Sequence, residues 1–269
     1  MRNIMNIKKI FDFSNRVVVI TGAAGLLGSE YANGFCQAGG NVVLADKNFV
    51  KCKKLAVELE KKYGVKPLPI KLDVTNPKSI KKMIEQITKK FSKIDVLVNN
   101  AIFPEIGKIK KTKFEDFPLD IWKKGIDVNL TGMFLCSQQI GKIMVKQKNG
   151  VIINISSIYG IKGPDQRIYG KTKIIKSALY ATTKGAVINF TKYLASYWNR
   201  TGVRVNTLSL GGVEENQDLT FKKKYSDKTM IGRMAKKDEY VGALLFLSSD
   251  ASSYMTGSNL VIDGGWSAW

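Results

Sequence analysis

Val17-Val18-Val19-Ile20-Thr21-Gly22-Ala23-Ala24-Gly25-Leu26-Leu27-Gly28 decides how this chain is read. A run of branched apolar residues suits a strand covered on both faces. The small residues after it make a tight turn into a helix. With so little side chain in the way, the turn's backbone can approach a pyrophosphate, whose charge then sits at the helix N-terminus. A glycine pattern alone is weak, since a plain strand-to-helix turn uses the same residues. Its weight comes from position, after the first strand and before an amphipathic stretch.

The same alternation continues through the chain. Apolar runs at 16–21, 41–45, 66–72, 94–98, 151–155, 204–208 and 260–262 read as strands. Helical stretches lie between them, at about 26–38, 48–63, 77–91, 119–148, 178–200 and 236–248. Asn76-Pro77 is a start signal, with proline in the first turn. The order predicts an α/β fold, a Rossmann-like doubly wound parallel sheet of about seven strands with right-handed crossovers. No linker or repeat divides the chain, so one domain over 1–269 is expected. Two stretches break the rhythm, an insertion at about 159–179 and a lid at about 212–237. Both follow strands ending at the sheet edge where open α/β folds bind ligands, and long loops there are usually functional.

Composition removes several chemistries. There are no histidines, so Ser-His and Cys-His catalysis and histidine metal ligands are out. The three cysteines, Cys36, Cys52 and Cys136, have no Cys-x-x-Cys spacing, which argues against a disulfide framework or metal site and suits a reducing cytoplasm. Residues 1–15 carry no long apolar run, so neither a signal peptide nor a membrane span is expected. The net charge of +21 could serve a polyanion, but it comes mostly from dispersed lysines. Specific nucleic-acid contacts favour arginine forks, so a nucleic-acid partner is not expected.

Acidic and amide residues close successive strands. Asp46 ends the second, where a carboxylate can bind adenosine-ribose hydroxyls and repel a 2′-phosphate, favouring NAD over NADP; Lys47 beside it partly offsets that repulsion. A helix cap is the plain alternative for Asp46 and for Asp73, which with Val74 closes the third strand. Asn99-Asn100-Ala101 closes the fourth and can tie loop backbones together or face a ligand.

Farther along, Tyr180 and Lys184 fall on one helix face. An ammonium roughly 5–6 Å from a phenol, at an effective dielectric of about 20, favours phenolate by about 3 kcal/mol. That is about two pKa units, a shift towards general acid/base work. Among ten tyrosines in a lysine-rich chain, Tyr-x-x-x-Lys also arises by chance, and Tyr169 with Lys173 is a second copy. Gly170 weakens a helix there, whereas Tyr180 opens a sustained helical face, so Tyr180 is the expected acid/base.

Together, Thr-Gly-x-x-Gly-x-x-Gly, Asp73-Val74, Asn-Asn-Ala, Val128-Asn129, Ser156-Ser157, Tyr180-x-x-x-Lys184, Arg204-Val205-Asn206 and Thr256-Gly257…Asp263-Gly264-Gly265 resemble the signatures of the short-chain dehydrogenase/reductase family, from Phe11 onward. The resemblance implies an NAD(P)-dependent oxidoreductase. It places cofactor contacts at Gly22, Ala24, Gly25, Leu27, Gly28, Asp46, Asp73, Val74, Asn100, Ala101, Tyr180 and Lys184. It adds Leu210, Gly211 and Val213 at the nicotinamide end. Tyr180 is then the proton carrier, Lys184 its pKa partner and ribose ligand, and Ser157 the group that hydrogen-bonds the reacting oxygen. Asn129 would link Lys184 to solvent through a water or carbonyl, or simply pack, and Ser156 is read as structural. Gly25 stands one residue earlier than usual in the single-domain branch, Ile102 replaces a glycine, and Leu210 replaces a proline.

The insertion carries Lys162, Arg167, Lys171, Lys173 and Lys176, and the lid Lys222, Lys223, Lys224 and Arg233. Cations on these loops suggest an anionic sugar substrate, a phosphate or nucleotide sugar. The segment after Ser157 also resembles dehydrogenases of bacterial surface-sugar and flagellin-glycan synthesis. Tyr159 and Trp198 could stack on a sugar or pack. A 3-oxoacyl thioester reductase is the alternative enzyme, and a non-catalytic dinucleotide-sensing or RNA-binding protein the alternative class. The resemblance implies a homodimer or homotetramer, to which the face around Val187, Phe190, Leu194 and Tyr197 could contribute.

Overall fold

The structure, a computed structural model, describes residues 6–105, 107–172 and 174–269. Among the described residues the seven strands are β1 (Val17–Thr21), β2 (Asn41–Asp46), β3 (Leu68–Lys71), β4 (Val96–Asn99), β5 (Gly150–Ser157), β6 (Val203–Leu210) and β7 (Asn259–Ile262). They form one parallel sheet in the order β3-β2-β1-β4-β5-β6-β7. The order reverses between β1 and β4, which makes a crevice at the carboxyl ends of those strands.

Nine α-helices accompany the sheet: α1 (Ile7–Ile10), α2 (Leu26–Gln37), α3 (Phe49–Tyr63), α4 (Pro77–Phe91), α5 (Leu119–Ile126), α6 (Gly132–Gln147), α7 (Ala178–Tyr197), α8 (Leu219–Ser226) and α9 (Val241–Ser248), counted among the described residues. Because strand side chains alternate, each strand feeds two apolar layers. Val18 and Ile20 meet Tyr31 and Phe35 of α2 and Leu244 of α9. Val17 and Val19 meet Ile80 and Met83 of α4, Ile140 of α6 and Leu194 of α7.

Local chemistry sets the helix ends. Asn76 accepts hydrogen bonds from Lys78 N and Ser79 N, Pro77 fills the first turn, and Ser92 closes α4 in the left-handed region at φ 63°. The continuous helix expected over 119–148 is interrupted. A π turn at Asp127–Thr131 separates α5 from α6 and points the buried Asn129 at α7, a deformation often found at functional sites.

Two further expectations change. The 212–237 lid contains α8, capped by Asp218, and the last long helix begins at Val241 rather than near 236. Before it, the Arg233–Glu239 ion pair (2.6 Å) and a Val213–Ala235 bridge hold an irregular path. The insertion forms short 3₁₀ turns, Ile158–Gly160 and Gln166–Thr172, the second broken at Gly170 (φ 51°). With Tyr225, Met234 and Trp266 it builds a third apolar cluster over the sheet edge. On α7, Val187 and Leu194 are core residues rather than interface residues, while Tyr193 and Tyr197 stack on each other at the surface. Trp198 is also core, filling the space left by Gly141.

Candidate active site

The dinucleotide half lies over β1, β2 and β4. Gly22 (φ 67°) turns the chain so tightly that an added Cβ would lie 2.9 Å from Ala101 Cα. At Gly28 a Cβ would lie 2.1 Å from Gly22 O, so only glycine lets α2 start this close to the turn. Gly25 caps α2 without a side-chain hydrogen bond, which leaves first-turn N–H groups for an anion. The Asn100 side chain donates to Thr21 O and Gly22 O, both at 3.1 Å, and Thr21 Oγ1 accepts from Asn100 N and Ala101 N. These bonds lock the glycine turn to the end of β4.

A cleft of about 610 Å³ opens beside this turn, lined by Gly22, Asp46, Asp73, Val74, Ala101 and Val128 among others. Asp46 accepts from Ala24 N (3.0 Å) and Asn48 N (2.8 Å), fixing its carboxylate at the cleft wall. Lys47 pairs with Asp73 at 3.3 Å, so its charge is directed there. The Thr75 hydroxyl, with help from its N–H and Lys47, holds the Asp73 carboxyl below the usual range. A cleft beside the glycine turn, with a fixed carboxylate one strand over, fits a dinucleotide.

The proton-transfer half is built by β5 and α7. Ser177 caps α7, its hydroxyl accepting from Tyr180 N at 3.1 Å, which sets Tyr180 in the first turn. Ser157, the last residue of β5, sits beside the Tyr180 phenol closely enough to oppose the rise in its pKa, and its hydroxyl accepts from Tyr159 N at 3.2 Å. Lys184 Nζ donates to Ile155 O at 2.7 Å and lies 5.7 Å from the centre of the Tyr180 ring. Ser156 donates to Lys184 O at 2.7 Å, and Gly160 lets the two segments touch; a Cβ there would lie 2.5 Å from that same oxygen.

The electrostatics differ from the sequence expectation. Burial pushes the Tyr180 phenol up, opposed by the Ser157 hydrogen bond, and the Glu105 carboxylate adds to the rise. Burial, and then the Lys176 cation, pull the Lys184 ammonium down to about 7. The gain expected from one ammonium beside a phenol is outweighed by the cost of holding charge out of water.

The two candidate tyrosines separate clearly. Tyr180 joins Ser157 and Lys184, whereas Tyr169 stacks on Phe221 at 5.2 Å, with its hydroxyl 3.5 Å from that of Tyr159 and its phenol pushed up to about 12 by burial. Lys173, the partner proposed for Tyr169, lies outside the described residues, as does the Lys171 side chain. Tyr159 meets the edge of Tyr180 at 6.3 Å. Asn129 accepts from Phe103 N (2.7 Å) and donates to Thr183 (3.2 Å), so its amide ties the loop after β4 to α7. Leu210 and Leu27 pack into the core layer, Val213 is tied to Ala235, and Gly211 O accepts from Tyr240 at 3.0 Å.

Sequence reasoning missed Glu105 and gave Lys176 no partner. Lys176 lies 3.4 Å from the centre of the Tyr180 ring, with Glu105 Oε2 at 3.9 Å; the other Glu105 oxygen accepts from Ser177. Nothing local in the sequence joins residues from two loops so far apart. Most other loop cations are also engaged. Arg167 and Lys228 share Asp165, Lys222 meets Glu214, Arg233 meets Glu239, Lys162 meets an oxygen of Trp269, and Lys224 meets the Arg167 carbonyl.

Residues 22–267 match the family model described as Enoyl-(Acyl carrier protein) reductase. The chain belongs to the short-chain dehydrogenase/reductase family. It is 33% identical to post-translational flagellin modification protein A of Campylobacter coli, over 94% of this chain and 98% of that one. It is 35% identical to the 3-oxoacyl-[acyl-carrier-protein] reductase FabG of Thermotoga maritima, over 93% and 97%. The solved gluconate 5-dehydrogenase of Burkholderia cenocepacia, in complex with NADP and tartrate, superposes with a TM-score of 0.87 at 30% identity, covering 98% of this chain and 100% of that one. The chain is therefore an NAD(P)-dependent oxidoreductase with a Rossmann-like parallel sheet. No described helix is long and apolar enough to cross a membrane.

Proposed function

We propose that this protein interconverts a hydroxyl and a carbonyl on a small sugar-type substrate, using NAD, with Tyr180 as the general acid/base. One observation carries the reading: Ser157, Tyr180 and Lys184 converge at the carboxyl edge of the sheet, on the side of the glycine turn. When bound, the nicotinamide dinucleotide supplies the hydride acceptor or donor. Gly22, Ala24, Gly25, Leu27, Gly28, Asp73, Val74, Asn100 and Ala101 are the residues proposed to hold it, through backbone more than side chains. Gly211, Val213 and the backbone of Leu210 serve its nicotinamide end. Ser157 orients the reacting oxygen, and Tyr180 takes the hydroxyl proton during oxidation or returns it during reduction. Lys184 holds the ribose and the tyrosine's developing charge, while Asn129 keeps the loop after β4 against α7.

The choice of NAD rests on Asp46, fixed by two backbone N–H groups, and on Lys47, whose pairing with Asp73 directs it away from a 2′-phosphate. An anionic group on the sugar is supported by Lys224, whose partner is the uncharged peptide carbonyl of Arg167. The insertion at 159–179 and the lid at 212–237 would close over it. The second reading, a 3-oxoacyl thioester reductase, is favoured by the FabG relative and by an apolar cleft lined by Phe114, Phe117, Ile175 and Ala181. We further propose a homodimer or homotetramer, with the exposed Tyr193 and Tyr197 at a subunit contact.

The test is a screen of sugar phosphates, nucleotide sugars, aldonates, neutral polyols and an acetoacetyl thioester with NAD and NADP, read by absorbance of the reduced cofactor. Turnover of an anionic sugar with NAD supports the proposal. Turnover of the thioester alone replaces it with the second reading.

A further inference from the structure

Lys176 has an unusual position for a cation. It comes from the insertion, yet its ammonium lies on the face of the Tyr180 ring, 3.4 Å from the centre, closer than Lys184 at 5.7 Å. Its anchor is Glu105, reached at 3.9 Å, and Glu105 is itself fixed by the Ser177 hydroxyl that caps α7. One small network thus sets both the helix turn that carries Tyr180 and the cation lying on its ring. A surface lysine would extend into solvent, where its charge is well hydrated. Here the ammonium is directed inward, against a phenol.

We propose that Lys176 is a positioning residue for proton transfer, a second ammonium that acts with Lys184 to favour the phenolate of Tyr180. This rests on the reading of Tyr180 as the acid/base. A cation over an aromatic face is attracted to the ring, and more strongly once the ring carries negative charge. The two ammoniums also repel each other, and Lys176 weakens the hold of Lys184 on its proton. The charged and titratable groups facing this cluster are Glu105 and Lys110 from the segment after β4, Tyr159 from the turn after β5, Tyr169 from the insertion, Lys184 from α7, Tyr225 from α8, Tyr31 from α2 and Tyr240 just before α9. Glu105 is the acidic partner that keeps Lys176 charged, and burial sets Lys176 at about 8. The group is therefore largely protonated on the acid side of the activity profile, where its effect is greatest.

Lys176→Met and Lys176→Arg separate this role from packing and from substrate anchoring. In Lys176→Met the acid limb of kcat/KM for alcohol oxidation moves up by roughly one pH unit, about a tenfold loss at a fixed acidic pH. Lys176→Arg restores the limb. A uniform loss at every pH, or a rise in KM alone with the limb in place, overturns the proposal. A second readout needs no substrate, so it stands even if the proposed substrate is wrong. In protein labelled at the lysine side-chain carbons, the Lys184 resonance is identified by its absence in Lys184→Met. Its titration midpoint rises in Lys176→Met, because a neighbouring cation has gone. An unmoved midpoint sinks the proposal, whatever the activity screen finds.

Discussion

Replacing Lys184 by methionine should stabilise the fold near neutral pH and destabilise it in alkali. Burial holds the Lys184 ammonium at about 7, far below the ordinary lysine value of 10.5. Its folded-state pKa is thus lower than its unfolded one, and the protonated form works against folding. That penalty is fully present below about pH 7 and fades as pH rises through the window to 10.5. A gap of about 3.5 units at about 1.4 kcal/mol per unit corresponds to a few kcal/mol, about 4 at neutral pH. Methionine removes the charge but also leaves Ile155 O without the donor that now sits at 2.7 Å. An unmet buried carbonyl costs about 1–3 kcal/mol at any pH. The difference in unfolding free energy should therefore favour the variant by about 1–3 kcal/mol at pH 7 and favour wild type by a similar amount near pH 10.5. Urea unfolding of both proteins across that range reads the crossover directly. Parallel curves for the two proteins would refute the argument, because they would mean that Lys184 carries no strained charge. The crossover, if seen, shows stability given up to keep a cation at the site.

Other outcomes follow from the same contacts. Asp46→Ala removes the fixed carboxylate, and the ratio of kcat/KM for NADP over NAD should rise about 10- to 100-fold, since one charge repulsion near a surface is of order 1–3 kcal/mol; an unchanged ratio would place the ribose elsewhere. Asn154→Ala breaks a buried chain in which Asn99 donates to Asn154 (2.8 Å) and Asn154 to Thr191 (2.9 Å). It should lower stability by about 1–3 kcal/mol, read by urea midpoint. Burial pushes all three cysteine thiols up to about 12, so thiol reagents should label them only as fast as the protein unfolds; rapid labelling of native protein would contradict their placement.

The sheet was legible because its central strands, β1 and β2 above all, are covered on both faces and so appear as nearly unbroken apolar runs. The turn at Thr21–Gly28 was legible because only glycine tolerates φ near +67° at Gly22 and leaves room at Gly28, where a Cβ would lie 2.1 Å from Gly22 O. Tyr180 could be set on a helix and Tyr169 off one because Gly170 disfavours a helix, and the chain does kink there. What stayed hidden depends on tertiary contact. The π turn at Asn129 arises where Asn129 reaches both Phe103 and Thr183. The surroundings of Lys176 arise from Glu105, on another loop. The cationic loops looked like an anion site in sequence, whereas the fold brings Asp165, Glu214 and Glu239 to several of those charges. The sign of the Tyr180 shift was missed for the same reason: spacing along a helix reports the lysine but not the burial.

The most direct measurement compares Tyr180→Phe and Tyr169→Phe with wild type, measuring turnover on a substrate found by the screen and dinucleotide affinity by titration calorimetry. Loss of turnover in Tyr180→Phe by several orders of magnitude, with dinucleotide affinity within about threefold of wild type and Tyr169→Phe still active, is the predicted result. Retained turnover in Tyr180→Phe would contradict the account at its centre.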